Sequence, residues 1–572
     1  MSSEHRPGGC REQRCLPAYL FLLLEAASVL LGALGLLLCL GAFAPFTKEL
    51  GACESGAVRD VLGGGFILPH YREGGMMVWV PPLSWWTQAL AVKWLGWTEI
   101  ALRLPSLLGA AFTCALLYGW LRATVSRRCA LWSAAALLSC RFFVDAARQP
   151  RQDALFATLV TAAIVCLERA YRRAGRPQPA WLAASAITVA LAALTKGPLG
   201  FVLPGIAAVL WLLSEGRWRA LFRPALLAAL VCTLLLVSLW YTAAYAVGGE
   251  DFVQLQVINC LLNRFTGELD MCRHPFYYFF PHVVTGFLPW SLLLPFTAAM
   301  LWGARRGLPT PIKLAVFWFV GFIIFFSIPS GKCLAYLVPV FPPLAVITGW
   351  AISNLGQYPK PAGWERFFWR LGTFCIGVGV IVLALLAGAV GTWGVPQLLV
   401  TRLGPHDREV VTLLNTLTAS GGAFFVAWFI ASTASGVAAT VGALALRTRL
   451  GSWGVALAAF AGTIFWFGII SPTFARERTL KPFIRRVESI IPPGATLAYL
   501  GEPDCDASFY SRREITLDLD HPPACGLKRP IYLIAPEDLA ARLDSHHRAC
   551  LREITASRAV DTHGRRLLFV VD

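Results

Sequence analysis

A series of about 13 long apolar runs constrains this chain more than any other feature, because each run is about 20 residues long. The runs begin near Leu16, Pro105, Ala130, Ala154, Trp181, Gly200, Pro224, His282, Pro311, Cys333, Leu371, Gly421 and Ser452. A helix of this length crosses the hydrocarbon core of a bilayer and satisfies its own backbone hydrogen bonds there. The sequence therefore predicts an all-α polytopic membrane protein with about 13 transmembrane helices.

The composition excludes a water-soluble enzyme. Only 15% of the 572 residues are charged, whereas soluble domains average roughly 25%. Lys and Arg exceed Asp and Glu by 17, but the arginines lie in short clusters between apolar runs and not on one face of a soluble domain. Nucleic acid is therefore not a predicted partner.

The basic clusters predict the orientation of the chain, because cytoplasmic connections are enriched in Lys and Arg. They fall on alternate connections and comprise Arg122 with Arg127 and Arg128, Arg172 with Arg173 and Arg176, Arg217 with Arg219 and Arg223, Arg305 with Arg306, Lys360 with Arg366 and Arg370, and Arg447 with Arg449. The N-terminus is then expected in the cytoplasm. With an odd number of spans, the C-terminal tail is then expected on the opposite side of the membrane. In a bacterial inner membrane this side is the periplasm.

The pattern divides the chain into two predicted domains. Residues 1–470 form the transmembrane domain, which includes a periplasmic loop, 45–104, with interfacial helices. The aromatic-rich part of that loop places Trp79, Trp85, Trp86, Trp94 and Trp97 at headgroup level. Residues 471–572 form a small periplasmic α/β domain, because an amphipathic segment is followed by the strand-like TLAYLG, IYLIA and LLFVV.

Several cations occur on connections that the orientation rule expects to be poor in charge. They are Arg148 and Arg151 in RQPRQDALF, Lys196 in LTKGPLGF, Arg264 in NRF, and Lys332 in SGKCLAYL. A charge near hydrocarbon is costly unless it faces a partner or a wet cavity, although long side chains also reach the headgroups by snorkelling. Grouped at one surface, these cations suit a phosphate group.

Two carboxylates on the same surface are candidates for acid–base chemistry. Glu54 lies after the first span and Asp153 lies beside the Arg148 and Arg151 turn. Arg59, Asp60 and His274 are further candidates, either for the acceptor or for the loop itself.

Cysteine and histidine spacing does not predict a metal site. The sequence leaves open whether a divalent metal accompanies a bound phosphate. It also leaves open whether disulfides join Cys505 to Cys525 and Cys260 to Cys272.

At these residues the chain resembles the polyprenyl-phosphate-sugar glycosyltransferases of the GT-C fold, which include the lipid A aminoarabinose transferase and the protein O-mannosyltransferases. The resemblance covers about Gly51 to Ala351. It rests on the loop helix after the first span, PPLSWW at Pro81, RLPS at Arg103, RQPRQDALF, LTKGPLGFVLP, HPFYYFFPHVVTGFLPW and SGKCLAYLVPVFPPLA.

The resemblance implies inverting transfer of a sugar from undecaprenyl phosphate to a periplasmic acceptor such as lipid A, another glycolipid, a polysaccharide or a protein. It implies that a set of basic residues holds the donor phosphate, with Tyr336 at the position of an aromatic residue in the family pattern. That set is Arg148, Arg151, Lys196, Arg264 and Lys332. Glu54 and Asp153 would then be the catalytic carboxylates.

The chain also departs from the family pattern. Cys53 and Glu54 stand where members carry Asp-Glu, so the base would be Glu54; Val80 replaces a Lys, and Gly56 with Ala57 replaces an Arg-Tyr pair. Two alternatives therefore stay open: a transporter or flippase of lipid-linked sugars, and a GT-C scaffold whose catalytic activity has diverged. Transporters often carry internal repeats with charges near the midplane, and the sequence has neither.

Overall fold

The structure is a computed structural model of the chain. It describes residues 12–46, 55–70, 80–172, 177–263, 266, 273–355, 363–393, 422–501, 505–511, 515–519, 531–543, 548–557 and 565–571.

The membrane part consists of helices and confirms the predicted spans. The α-helices are α1 (Glu12–Cys39), α2 (Ser55–Gly63), α3 (Leu83–Leu95), α4 (Glu99–Thr124), α5 (Arg127–Leu138), α6 (Arg141–Arg148), α7 (Gln152–Tyr171), α8 (Pro179–Lys196), α9 (Leu199–Ser214), α10 (Pro224–Phe252), α11 (Phe279–Gly286), α12 (Leu294–Ala304), α13 (Thr310–Ser327), α14 (Phe341–Ser353), α15 (Gly363–Trp393), α16 (Gly422–Leu444), α17 (Thr448–Thr463) and α18 (Ser471–Arg478). Shorter 3-10 or π-helical turns run over Trp218–Phe222, Val253–Asn263, Trp290–Leu293, Leu334–Val340 and Ile464–Ile470.

Within the described residues, ten helices are long and apolar enough to cross a membrane, two bent helix pairs bring the number to 12 if each pair is counted as one span, and Leu199–Ser214 is a shorter apolar helix. Together they account for the 13 predicted runs. The protein is therefore a multi-pass membrane protein.

The two bent spans contact each other where they break. Arg127–Leu138 and Arg141–Arg148 meet at 63°, and Phe279–Gly286 meets Trp290–Ala304 at 105°. The indole of Trp290 donates to the Ser139 hydroxyl at 2.9 Å, and the Cys140 thiol donates to the Gly286 carbonyl at 3.3 Å. These bonds satisfy polar groups that the breaks would otherwise leave in an apolar interior. They also fix α6 at an angle to the bundle.

The C-terminal part contains one five-stranded sheet with helices. Its elements are α19 (Lys481–Ile490), β1 (Thr496–Leu500), α20 (Cys505–Tyr510), β2 (Ile515–Leu519), β3 (Ile531–Pro536), α21 (Glu537–Ala540), β4 (Leu551–Ala556) and β5 (Arg566–Val571). The strand order is β2-β1-β3-β5-β4, with β1 parallel to β2 and β3, and with β5 antiparallel to β3 and β4. The predicted small α/β unit is confirmed; the domain boundary at residue 471 stays a prediction.

Glu99 joins this α/β unit to the bundle. The carboxylate accepts hydrogen bonds from the Lys481 ammonium and, at 3.0 Å, from the Tyr510 hydroxyl. The Tyr510 oxygen in turn accepts from the backbone N–H of Phe46 at 2.7 Å. Burial, with the Glu99 carboxylate beside it, raises the pKa of Tyr510, so the hydroxyl keeps its proton and can donate. The α/β unit therefore lies at the end of the bundle where α1 ends and α4 begins.

The interfacial role predicted for the tryptophans is wrong for Trp85. Its side chain is fully buried, within a cluster that joins α2, α3 and Phe509. Trp94 is 81% exposed, as expected of a side chain at an interface. The difference follows from helix geometry, because positions 85 and 94 fall on different faces of α3. Trp79 lies outside the described residues.

One cysteine of the α/β unit, Cys550, is disulfide-bonded. Cys272 and Cys525, which take part in the pairings considered from the sequence, lie outside the described residues.

Candidate functional site

The candidate site lies at the end of the bundle where α1 and α8 end and where α4 and α7 begin, which we call the site end. Three contacts hold this end together. The buried Arg103 guanidinium donates to the Ala42 carbonyl at 3.0 Å, and the buried Gln88 amide donates to the Pro150 carbonyl at 3.0 Å. The Ser106 hydroxyl donates to the Arg151 carbonyl at 2.8 Å, so both sides of the RQPRQ turn are fixed.

Four of the predicted site residues form one group at the site end, which we call the Asp153 cluster: Arg151, Asp153, Lys196 and Tyr336. The Lys196 ammonium forms a hydrogen-bonded ion pair with the Asp153 carboxylate, and Arg151 Nε lies 3.4 Å from the other oxygen. The Asp153 side chain is 5% exposed and that of Lys196 is 9% exposed. Lys196 Nζ also lies 5.4 Å from the centre of the Tyr336 ring and 5.5 Å from that of Phe156, within cation–π range.

Helix geometry explains why these charges meet. Asp153 lies in the first turn of α7 and Lys196 is the last residue of α8. Each charge therefore opposes the partial charge of its own helix end, which favours a carboxylate at an N-terminus and an ammonium at a C-terminus. Because α7 and α8 are antiparallel neighbours, these two ends lie side by side. The group carries two cations and one anion, so an incoming phosphate would meet a net positive charge.

Lys332 lies in a second part of the site end, four residues before Tyr336. Its ammonium donates to the His274 carbonyl at 3.1 Å and to the Pro329 carbonyl, and the side chain is buried. The His274 ring stacks on Tyr278 with centroids 3.9 Å apart. Lys332 thus ties the chain before α11 to the turn after α13. Since an ammonium has three N–H donors, these two bonds leave one N–H for a further acceptor.

Arg148 does not join the Asp153 cluster. It lines a separate cavity of about 620 Å³ with Arg141, Asp145, His282 and Arg478. Its guanidinium donates to the Ser471 hydroxyl at 3.3 Å and lies 4.8 Å from the centre of the Phe467 ring. Arg148 is therefore grouped with residues that were not predicted as site residues.

Arg59 and Asp60 contact the loop and the α/β unit. The Arg59 guanidinium donates to the Ser511 carbonyl at 2.5 Å and lies 4.8 Å from the centre of the Trp97 ring. The Asp60 carboxylate accepts from the backbone N–H of His70 at 2.7 Å. These contacts organise the loop; a role toward an acceptor stays a prediction. Glu54 and Arg264 lie outside the described residues.

The sequence contains a pattern that could have identified Arg141 and Asp145 as neighbours of Arg148 in this cavity. Arg141, Asp145 and Arg148 follow one another at helical spacings of four and three residues in RFFVDAAR, so they share one face of α6. Arg478 had no such signal, because only the fold brings the end of α18 next to α6. Among the described residues, no group of three or more His, Cys, Asp or Glu side chains is placed to hold a metal ion.

Comparison with known proteins assigns the fold: this is a membrane protein with the GT-C fold. The sequence pattern of the dolichyl-phosphate-mannose-protein mannosyltransferase family matches residues 80–241. That segment contains Asp153 and Lys196.

The solved structure of ArnT from Cupriavidus metallidurans, bound to undecaprenyl phosphate, superposes with a TM-score of 0.69 at 18% identity, covering 97% of this chain and 98% of that one. This similarity establishes the fold.

Curated relatives share more sequence over less length. An uncharacterized protein of Aquifex aeolicus is 30% identical over 51% of this chain and 56% of its own length. The undecaprenyl phosphate-alpha-4-amino-4-deoxy-L-arabinose arabinosyl transferase of Pseudomonas aeruginosa is 29% identical over 57% of this chain and 58% of its own length. The chain thus matches little more than half the length of these relatives.

Proposed function

We propose that this protein is an inverting glycosyltransferase that moves a sugar from a polyprenyl phosphate, such as undecaprenyl phosphate, to an acceptor at the site end of the bundle. The observation that carries the proposal is the Asp153 cluster, a buried and net cationic group at the ends of two apolar helices, α7 and α8. When the sugar leaves, negative charge develops on the lipid phosphate. Fixed cations that face this charge stabilise it more than water does, because they need no reorganisation.

In this proposal each residue of the Asp153 cluster has a distinct task. Asp153 holds Lys196 and Arg151 in place, and Lys196 faces the donor phosphate together with Tyr336. Lys332 and Arg264 supply further contacts to the phosphate. Glu54 is the proposed general base, which removes the proton of the acceptor hydroxyl or phosphate as the new bond to the sugar forms. A divalent metal that screens the phosphate is compatible with this scheme.

We further propose that the protein lies in a bacterial inner membrane with its N-terminus in the cytoplasm and the site end in the periplasm. Two observations support this orientation. The basic residues Arg122 and Arg127 lie at the other end of the bundle, where both pair with Glu25. The disulfide bond of Cys550 lies in the α/β unit at the site end, and disulfides persist in oxidising compartments. The acceptor is then lipid A, another glycolipid or polysaccharide, or a protein of the periplasm.

A transfer assay tests the proposal against its alternatives. Purified protein in liposomes is given a radiolabelled polyprenyl-phosphate sugar together with a membrane extract as the acceptor source, with and without a chelator. We expect the label to move to an acceptor while free polyprenyl phosphate accumulates. Movement of intact donor across the bilayer without cleavage would instead identify a flippase. A donor that is neither cleaved nor moved across the bilayer would identify a non-catalytic scaffold.

A further inference from the structure

The cavity that contains Arg148 is separate from the Asp153 cluster. It lies between α6, α11 and the end of the last span, where Trp466, Ser471 and Arg478 line it. Of the predicted donor-phosphate residues that the structure describes, only Arg148 lies on its wall. Its volume of about 620 Å³ is in the range of small-molecule binding sites, which is roughly 300–1,000 Å³.

Three guanidinium groups line the cavity, and each is held against an aromatic ring. The distances from the guanidinium carbon to the ring centre are 5.2 Å for Arg141 on Trp466, 4.8 Å for Arg148 on Phe467 and 5.1 Å for Arg478 on Phe474. A guanidinium held within this distance of a ring is restricted in position, and its N–H donors bind oxyanions through paired hydrogen bonds. This arrangement suits recognition of a planar or tetrahedral oxyanion.

The turn after α1 also makes room for one of these groups. Gly41 has a φ of 85°, and a Cβ atom there would lie 2.5 Å from Nη2 of Arg148 and 2.9 Å from the Phe467 carbonyl oxygen. Glycine suits this backbone conformation and this close approach, since it carries no Cβ atom. Arg148 itself is 7% exposed, so its place on the cavity wall is set by close packing.

The charge of the lining is positive. Among the residues that the structure describes, its ionisable members are the three arginines, Asp145 and His282, so three positive charges and one negative charge leave +2 with histidine neutral. Arginine binds phosphate through paired, charge-assisted hydrogen bonds. A cationic cavity at the ends of apolar helices fits the phosphate of an amphiphile better than a soluble anion.

We propose that this cavity is a second phosphate-binding site, which holds the phosphorylated headgroup of a lipid next to the donor site. If the proposed function holds, this second lipid is the acceptor, and the two phosphates occupy separate sites during transfer. The phosphate of the polyprenyl donor has the same chemistry, so the test must distinguish the two lipids.

The test measures equilibrium binding and needs no turnover. The full-length protein in phosphatidylcholine nanodiscs is titrated separately with dioleoyl phosphatidate and with polyprenyl phosphate, and bound lipid is counted by native mass spectrometry. The variants are Arg141→Gln with Arg478→Gln, and Lys196→Met. The control is Arg305→Gln, because Arg305 also stacks on a tryptophan, Trp302, at 4.7 Å but lies at the other end of the bundle.

We expect the double variant to lose phosphatidate affinity by about tenfold or more, which corresponds to the loss of charge-assisted hydrogen bonds. Its affinity for polyprenyl phosphate should stay that of the parent, and Lys196→Met should show the opposite pattern. The proposal is overturned if the double variant binds phosphatidate as the parent does, or if it loses polyprenyl phosphate instead. This test measures binding and no sugar transfer. A failure of the transfer assay would therefore not change the outcome of the binding test. Arg141→Lys keeps the positive charge, so this variant should retain part of the parent's affinity for phosphatidate. Such retained binding would show that substitution at this position leaves the protein folded.

Discussion

Replacing Asp153 with Asn should reduce sugar transfer by about 100-fold or more while the protein remains in the membrane. The Asp153 carboxylate is the shared partner of Lys196 and Arg151, and all three are buried or nearly so. Removing one partner of a buried ion pair costs about 3–5 kcal/mol, since the other charge is left without compensation. We expect this cost to appear as displacement of Lys196 from the position that faces the donor phosphate. Initial rates of transfer at saturating donor measure the effect.

A double variant separates catalysis from stability at this pair. Asp153→Asn with Lys196→Met removes both charges, so it should recover much of the thermal stability lost by the single variant. Turnover should stay low, because the cation that stabilises the leaving phosphate is absent. Glu215→Gln with Lys313→Met is the matched control, since that pair lies 3.0 Å apart at the other end of the bundle. Full turnover in the Asp153 and Lys196 double variant would show that the pair has only a structural role.

Glu54→Gln should abolish transfer while leaving donor binding intact. The amide has nearly the shape of the carboxylate but cannot accept a proton, and loss of a general base typically lowers the rate by about 10²–10⁴-fold. Parallel measurements of turnover and of polyprenyl phosphate binding separate the two effects. Glu250→Gln is a suitable control, because Glu250 is an exposed carboxylate at the C-terminal end of α10.

The neighbouring cysteine permits a sharper test of the base. The family pattern that the sequence resembles has Asp at the position of Cys53, so Cys53→Asp in the Glu54→Gln background supplies a carboxylate one position earlier. Partial recovery of turnover would assign the base to this pair of positions. Parental turnover in Glu54→Gln alone would remove Glu54 from the mechanism.

The sequence predicted the spans well, because crossing a bilayer requires about 20 consecutive apolar residues and such a run is visible in the sequence itself. It did not reveal that two of the spans are broken, because the bonds that stabilise the breaks, such as that from Trp290 to Ser139, join residues far apart in the chain. Three of the five strands, β1, β3 and β5, were visible as short apolar runs, whereas β2 and β4 were not predicted. The strand order depends on pairing that a single sequence does not encode locally.

The sequence predicted the site only in part. Lys196, Arg151 and Lys332 were identified as members of one surface, because they are cations on connections where few charges are expected. All of them were then assigned to one phosphate. The structure pairs Lys196 and Arg151 with Asp153 and places Arg148 in another cavity. Such pairing depends on which helices are neighbours. Arg478 and Glu99 were missed because their partners come from distant parts of the chain.

We propose that cations at the ends of several spans form the site of a departing lipid phosphate. A structure of the full-length protein with polyprenyl phosphate bound, determined in nanodiscs, would locate that phosphate. We expect it within hydrogen-bonding distance, about 3 Å, of Lys196 and facing Tyr336. A phosphate bound at the opposite end of the bundle, beside Glu25 and Arg122, or bound only in the Arg141 and Arg478 cavity, would contradict it.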